Sequence, residues 1–138
     1  MHKQGEPATM QRDPSYDDVV AEVEAFLRTN ALGAARTAGI ARDRIVVDPG
    51  FGFGKTVAHN LELLRRLPEI AALELPVLAG LVAQVDAWAR SPGRPVGERL
   101  AGSLAMALLA LQGGARILRV HDVKETRDVI AVWEAFRQ

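Results

Sequence analysis

A parallel α/β fold is what this sequence predicts, and three observations carry the prediction. Short apolar runs at 45–47, 75–81 and 116–123 alternate with longer amphipathic stretches. Each crossover is long enough to hold a helix, as parallel pairing requires. The composition, 138 residues with 49% hydrophobic and 25% charged, suits one ordinary globular core, so one domain is expected over 1–138.

Taken in order, residues 1–14 are polar and aperiodic and read as loop. Ser15 with Asp18 resembles a capping box. Val19, Val20, Val23, Phe26, Leu27 and Ala31 then recur at helical spacing until Gly39, predicting a helix over 16–38. Ile45-Val46-Val47 is β-branched throughout and reads as a strand buried on both faces, ended by Asp48-Pro49. Leu61, Leu63, Leu64 and Leu67 mark a second helix that stops at or shortly after Pro68. Leu75 to Leu81 is the second strand. The segment from Val82 to Pro95 has no firm period, and a third helix runs from about Val96 to Gln112, closed by Gly113-Gly114. Arg116 to Val123 is the third strand. Asp122 with Glu125 repeats the capping-box pattern, and Val129, Val132, Trp133 and Phe136 give the last helix an apolar face.

Seventeen basic and seventeen acidic residues cancel, so no net field favours nucleic acid or an anionic membrane as partner. With no cysteine, disulfides and thiolate metal sites are excluded, which fits a reducing compartment. Apolar runs fall short of the roughly 18 residues of a membrane span, and no signal-peptide core opens the chain. The expectation is a soluble, cytoplasmic protein.

The most informative stretch is Asp48-Pro49-Gly50-Phe51-Gly52-Phe53-Gly54-Lys55. It is neither a Walker loop, since Gly50 and Gly54-Lys55-Thr56 enclose three residues where four are needed, nor a dinucleotide fingerprint, whose last spacing is one residue longer. Alternate glycines let a ligand approach the backbone, and two phenyl rings offer flat apolar surface. A plain strand-to-helix turn is the alternative; the acid at a strand end favours a ligand loop. In parallel α/β sheets, ligands sit beyond the carboxyl ends of the strands. Asp48, Gly80, and Arg119 with His121 are all assigned there, the last two spaced to share one side of their strand. Individually, Arg119 reads equally as a surface cation and His121 as a turn residue.

The octapeptide at 48–55, Arg-Val-His-Asp at 119–122, Glu-Arg-Leu-Ala-Gly-Ser at 98–103 and Met-His-x-Gln-Gly at 1–5 together resemble the dihydropteroate synthase family over nearly the whole chain. The resemblance implies the C-terminal half of a TIM (β/α)₈ barrel, because a complete barrel needs about 250 residues and eight strands. It implies a folate-synthesis transferase that joins p-aminobenzoate to a dihydropterin pyrophosphate and releases pyrophosphate with Mg²⁺ bound, the metal's protein ligand lying in the absent half. By resemblance Asp48 hydrogen-bonds the pterin, Phe53 contacts pterin and aminobenzoate, and Met1 and Gly80 line the pterin pocket. Arg119 and His121 hold the pyrophosphate, and Arg119 stacks on the pterin face. One departure stands out. Where the family has Ser-Arg-Lys-Ser, this chain has Val82-Ala83-Gln84-Val85, so Gln84 takes the place of a substrate-binding lysine and keeps a donor without its charge. The alternative function is therefore a non-catalytic pterin-binding or interaction module. Three parallel strands cannot close a barrel, so self-association or a complementary N-terminal half is expected as partner.

Overall fold

A computed structural model of the chain describes residues 1–81 and 99–138. Its centre is a set of parallel strands in chain order. Val47 forms a single parallel bridge to Val77, and β1 (Val77–Gly80) pairs in parallel with β2 (Ala115–Arg119). The predicted strand 45–47 is thus reduced to one bridge, in which Val47 donates to the Pro76 carbonyl and accepts from Leu78. It is also not buried on both faces: Val47 is buried, but Val46 is 45% exposed. Ile117 of β2 is likewise exposed, so one face of this sheet packs on helices and the other lacks a cover among the described residues.

The predicted helix over 16–38 is three consecutive segments: α1 (Val19–Ala25), a π-helical stretch (Phe26–Ala31) and α2 (Leu32–Thr37). Its cap is Asp18 and not the Ser15 box. The Asp18 carboxylate accepts from Val20 and Ala21, and Glu22 reaches back to the amides of Asp17 and Asp18, so these acids satisfy the free donors of the first turn. Gly39, at φ +74°, follows the helix end as expected.

Pro68 does not end the second helix. α3 (Val57–Arg65) breaks at Arg66, and α4 (Leu67–Ala71) begins with Pro68 in its first turn, where a missing N–H costs nothing. Arg66 donates to both carboxylate oxygens of Asp18 at 3.1 Å and to Glu69, tying α4 to the start of α1. Val20, Val23 and Leu27 meet Leu63, Leu67, Ile70 and Val77 in the core, and all seven are essentially inaccessible to solvent. Burying each such side chain contributes roughly 1.5–3 kcal/mol.

The third helix, α5 (Leu100–Gln112), leads through Gly113-Gly114 into β2. Residues 96–98 of its expected start, the Val82 to Val85 segment and Gln84 lie outside the described residues. The last helix, α6 (Val123–Phe136), starts at Asp122, but the capping box fails: the Asp122 side chain makes no cap hydrogen bond, and Thr126 instead bonds its carbonyl through N and Oγ1. The stripe expected to be its apolar face is partly open, with Val132 71% and Phe136 79% exposed and Val129 and Trp133 half-buried; the helix packs on α5, and its buried residue is Thr126. Among the described residues no helix is long and apolar enough to cross a membrane.

Candidate active site

Three of the sequence-predicted residues lie at the carboxyl ends of neighbouring strands. Asp48 directly follows the Val47 bridge, Gly80 is the last residue of β1, and Arg119, the last residue of β2, is its register partner. The Arg119 guanidinium lies across the end of β1, over Gly80, where the missing side chain leaves it room to pack against the backbone. Arg119 is exposed, and among the described residues its guanidinium has no hydrogen-bond acceptor. His121 is exposed too, but it does not close the strand. β2 stops at Arg119, and His121 sits in the bend beyond, its carbonyl accepting from Val123 at 3.1 Å. The same-side argument from strand alternation therefore does not reach it.

The Asp48 loop is built inward. Asp48 Oδ1 accepts from the Gly50 amide at 2.8 Å, leaving the second carboxylate oxygen without a hydrogen bond among the described residues. Gly50 sits at φ +72°, and a Cβ there would collide with the His2 carbonyl. The N-terminal segment lies against this point, with the His2 amide donating to the Asp48 carbonyl at 3.0 Å. Lys55 is only 2% exposed. Its Nζ donates to Gly50 O at 2.9 Å and Phe53 O at 3.2 Å, and lies 3.1 Å from His2 Nδ1. Further ties hold the loop from outside: Tyr16 Oη donates to Gly54 O at 2.8 Å, Gln11 Nε2 to Gly52 O, and Asn60 Oδ1 accepts from the Gly52 amide at 2.8 Å.

Burial pushes the Lys55 ammonium down to about 8, opposed by the charge of Asp48. Burial first, then Lys55 and the terminal amine, push the His2 imidazole down to about 4. Burial and Glu22 push the Tyr16 phenol up to about 12. At neutral pH the group is a cation, a neutral imidazole and a neutral phenol. A neutral ring that accepts at Nδ1 carries its proton on Nε2, because an ammonium only donates.

The two phenyl rings divide. Phe51 is buried in the core and offers no surface to a ligand, whereas Phe53 remains half-exposed, and Met1 is 53% exposed. Sequence reasoning missed His2, Tyr16 and Asn60, and gave Lys55 no place. Asn60 carried a signal, a polar residue at a buried position of a leucine-rich helix; the others become visible only through contacts 38 or more residues apart. Among the described residues no three His, Asp or Glu side chains converge as metal ligands.

A family model described as pterin binding enzyme matches residues 1–121. The dihydropteroate synthase of Haemophilus influenzae is 48% identical over 137 residues, covering 98% of this chain and 48% of that protein. The crystal structure of dihydropteroate synthase from Stenotrophomonas maltophilia superposes with a TM-score of 0.90 at 48% identity, over 99% of this chain and 51% of that one. That from Xanthomonas albilineans, in complex with 7,8-dihydropteroate, gives a TM-score of 0.83 at 48% identity, over 90% and 48%. The chain spans about half the length of the curated relatives it matches. Its strands and helices form a portion of a TIM barrel, with Asp48, Gly80 and Arg119 on the rim where such barrels bind ligands. The chain belongs to the pterin-binding enzyme family.

Proposed function

We propose that this chain supplies the C-terminal half of a dihydropteroate synthase site, acting with a complementary N-terminal half or, failing that, by self-association. The reaction forms a bond between the amine nitrogen of p-aminobenzoate and the 6-methylene carbon of dihydropterin pyrophosphate. The carbon–oxygen bond breaks, pyrophosphate leaves with the electron pair, and the amine loses a proton to solvent. The carrying observation is the rim: an acceptor, Asp48, and an exposed cation, Arg119, stand at the ends of the two parallel segments that flank β1, with Gly80 at the end of β1 between them. The unbonded carboxylate oxygen of Asp48 accepts from the pterin's guanidine-like edge and stabilises positive charge developing on the ring as pyrophosphate departs. Arg119 and His121 take up the negative charge of the leaving group, and Phe53 and Met1 cover the pterin. Mg²⁺ is assigned no residue of this chain.

The second reading, a non-catalytic pterin-binding module, is favoured by one feature: Val82-Ala83-Gln84-Val85 stands where the family has Ser-Arg-Lys-Ser. Both readings are tested by pairing the chain with a family N-terminal half and measuring dihydropteroate formation. The synthase reading expects turnover, raised roughly ten- to a hundredfold when Ser-Arg-Lys-Ser is restored at 82–85, the worth of one charged hydrogen bond in the transition state. Turnover that is absent even after restoration, with pterin still bound, would leave the binding module.

A further inference from the structure

We propose that Lys55 and His2 form a buried clamp that positions the Asp48 carboxylate, with Lys55 itself making no contact to substrate. The inference deepens the proposed function and rests on it for the identity of the ligand. An ammonium has three donors, and Lys55 Nζ has three acceptors around it: Gly50 O, Phe53 O and His2 Nδ1. Nothing is left to donate to a ligand. The clamp's partners lead directly to the acid. Gly50, held through its carbonyl by Lys55, holds Asp48 Oδ1 through its amide, and His2, held at its ring by Lys55, holds the Asp48 carbonyl through its amide. Asp48 is thereby fixed at both its side chain and its main chain from one buried nitrogen. Phe53, bonded at its carbonyl, and Met1, adjacent to His2, are carried by the same cluster, so three expected pterin contacts share a single anchor.

The groups facing the clamp are Asp48, the Tyr16 ring, whose centroid is 5.9 Å from Nζ, the terminal amine and the Phe26 ring against His2. None of them competes with Nδ1 as the third acceptor, which makes His2 the replaceable member. Asparagine at position 2 places an amide oxygen near the site of Nδ1. Phenylalanine keeps the edge contact to Phe26 and removes the acceptor.

The test reads hydrogen exchange at the residue 2 and Gly50 amides of the full chain, alongside calorimetry with dihydropterin pyrophosphate. His2→Asn should keep exchange protection within about threefold of wild type, and His2→Phe should lose at least about tenfold, the worth of one hydrogen bond. Lys55→Met should lose protection at both amides. If His2→Phe equals or exceeds His2→Asn, the ring serves only as packing and the clamp is overturned; this pair decides the matter even if Lys55→Met does not fold. Pterin affinity should fall in the same order as protection, and affinity unchanged while protection falls would overturn the positioning role. A wild-type chain that binds no pterin yet shows the predicted exchange order would refute the proposed ligand and leave the clamp standing.

Discussion

The Asp48 loop and the β2–α6 end of the sheet contribute opposite charges to the same rim and are built in opposite ways. Around Asp48 every glycine of the loop is held: Gly50 is bonded by Lys55 and lies against the His2 carbonyl, Gly52 is bonded by Asn60 and Gln11, and Gly54 by Tyr16. At the other end Arg119 and His121 are exposed, and the following helix shows Val132 and Phe136 to solvent. The difference suits the roles proposed for them. A single carboxylate oxygen recognises a planar ring only if it is held in place, whereas a long guanidinium can swing onto a flexible phosphate.

The largest effect should come from breaking the tight side at its most crowded point. Gly50→Ala must place a Cβ into the His2 carbonyl at a positive φ, so a loss of roughly 3 kcal/mol or more in urea unfolding is expected. A loss below 1 kcal/mol would mean the N-terminal segment is only loosely laid on the loop. Next, Asp48→Asn keeps an acceptor for the Gly50 amide but loses the charge. Stability should change little, while pterin affinity by calorimetry should fall about ten- to a hundredfold.

The buried pair also gives the tight side a pH signature. His2 titrates near 4 when folded against an ordinary 6.5, so the unfolded chain binds more protons between those values. The cost of protonating His2 is absent above about 6.5 and grows as pH drops toward 4, so stability falls across that window. Lys55 works in the same direction at alkaline pH: its folded value near 8 against 10.5 makes stability rise across that window. Thermal melts of His2→Asn should lose the acidic slope and keep the alkaline one.

On the open side the same measurements should be quiet. Arg119→Ala should leave stability within about 0.5 kcal/mol yet weaken dihydropterin pyrophosphate binding about tenfold, an effect that shrinks in high salt. Phe136→Ser should be the smallest, again within about 0.5 kcal/mol in the isolated chain. A loss above 1.5 kcal/mol, or one that depends on protein concentration, would show that α6 is covered in solution.

Periodicity determined which stretches become helix and which strand, though not their bounds, because a 3.6-residue or two-residue repeat of apolar side chains is a local property of the chain. Leu63 and Leu67 in the core, the strand at 77–80 and the Gly39 stop are all of that kind. The octapeptide likewise made Asp48 and its family legible, since a rare residue order needs no third dimension. Tertiary structure alone decided what the loop's other residues are for. Lys55 and Phe51 have the composition of a binding loop, yet one is a buried strut and the other is core, because His2, Tyr16 and Val47 occupy the space around them. It also decided the caps, choosing Asp18 over Ser15 and denying one to Asp122, and it cut the 45–47 strand to a single bridge. Each of these outcomes depends on which distant group arrives to share a hydrogen bond or cover a face, and spacing along one chain cannot encode that.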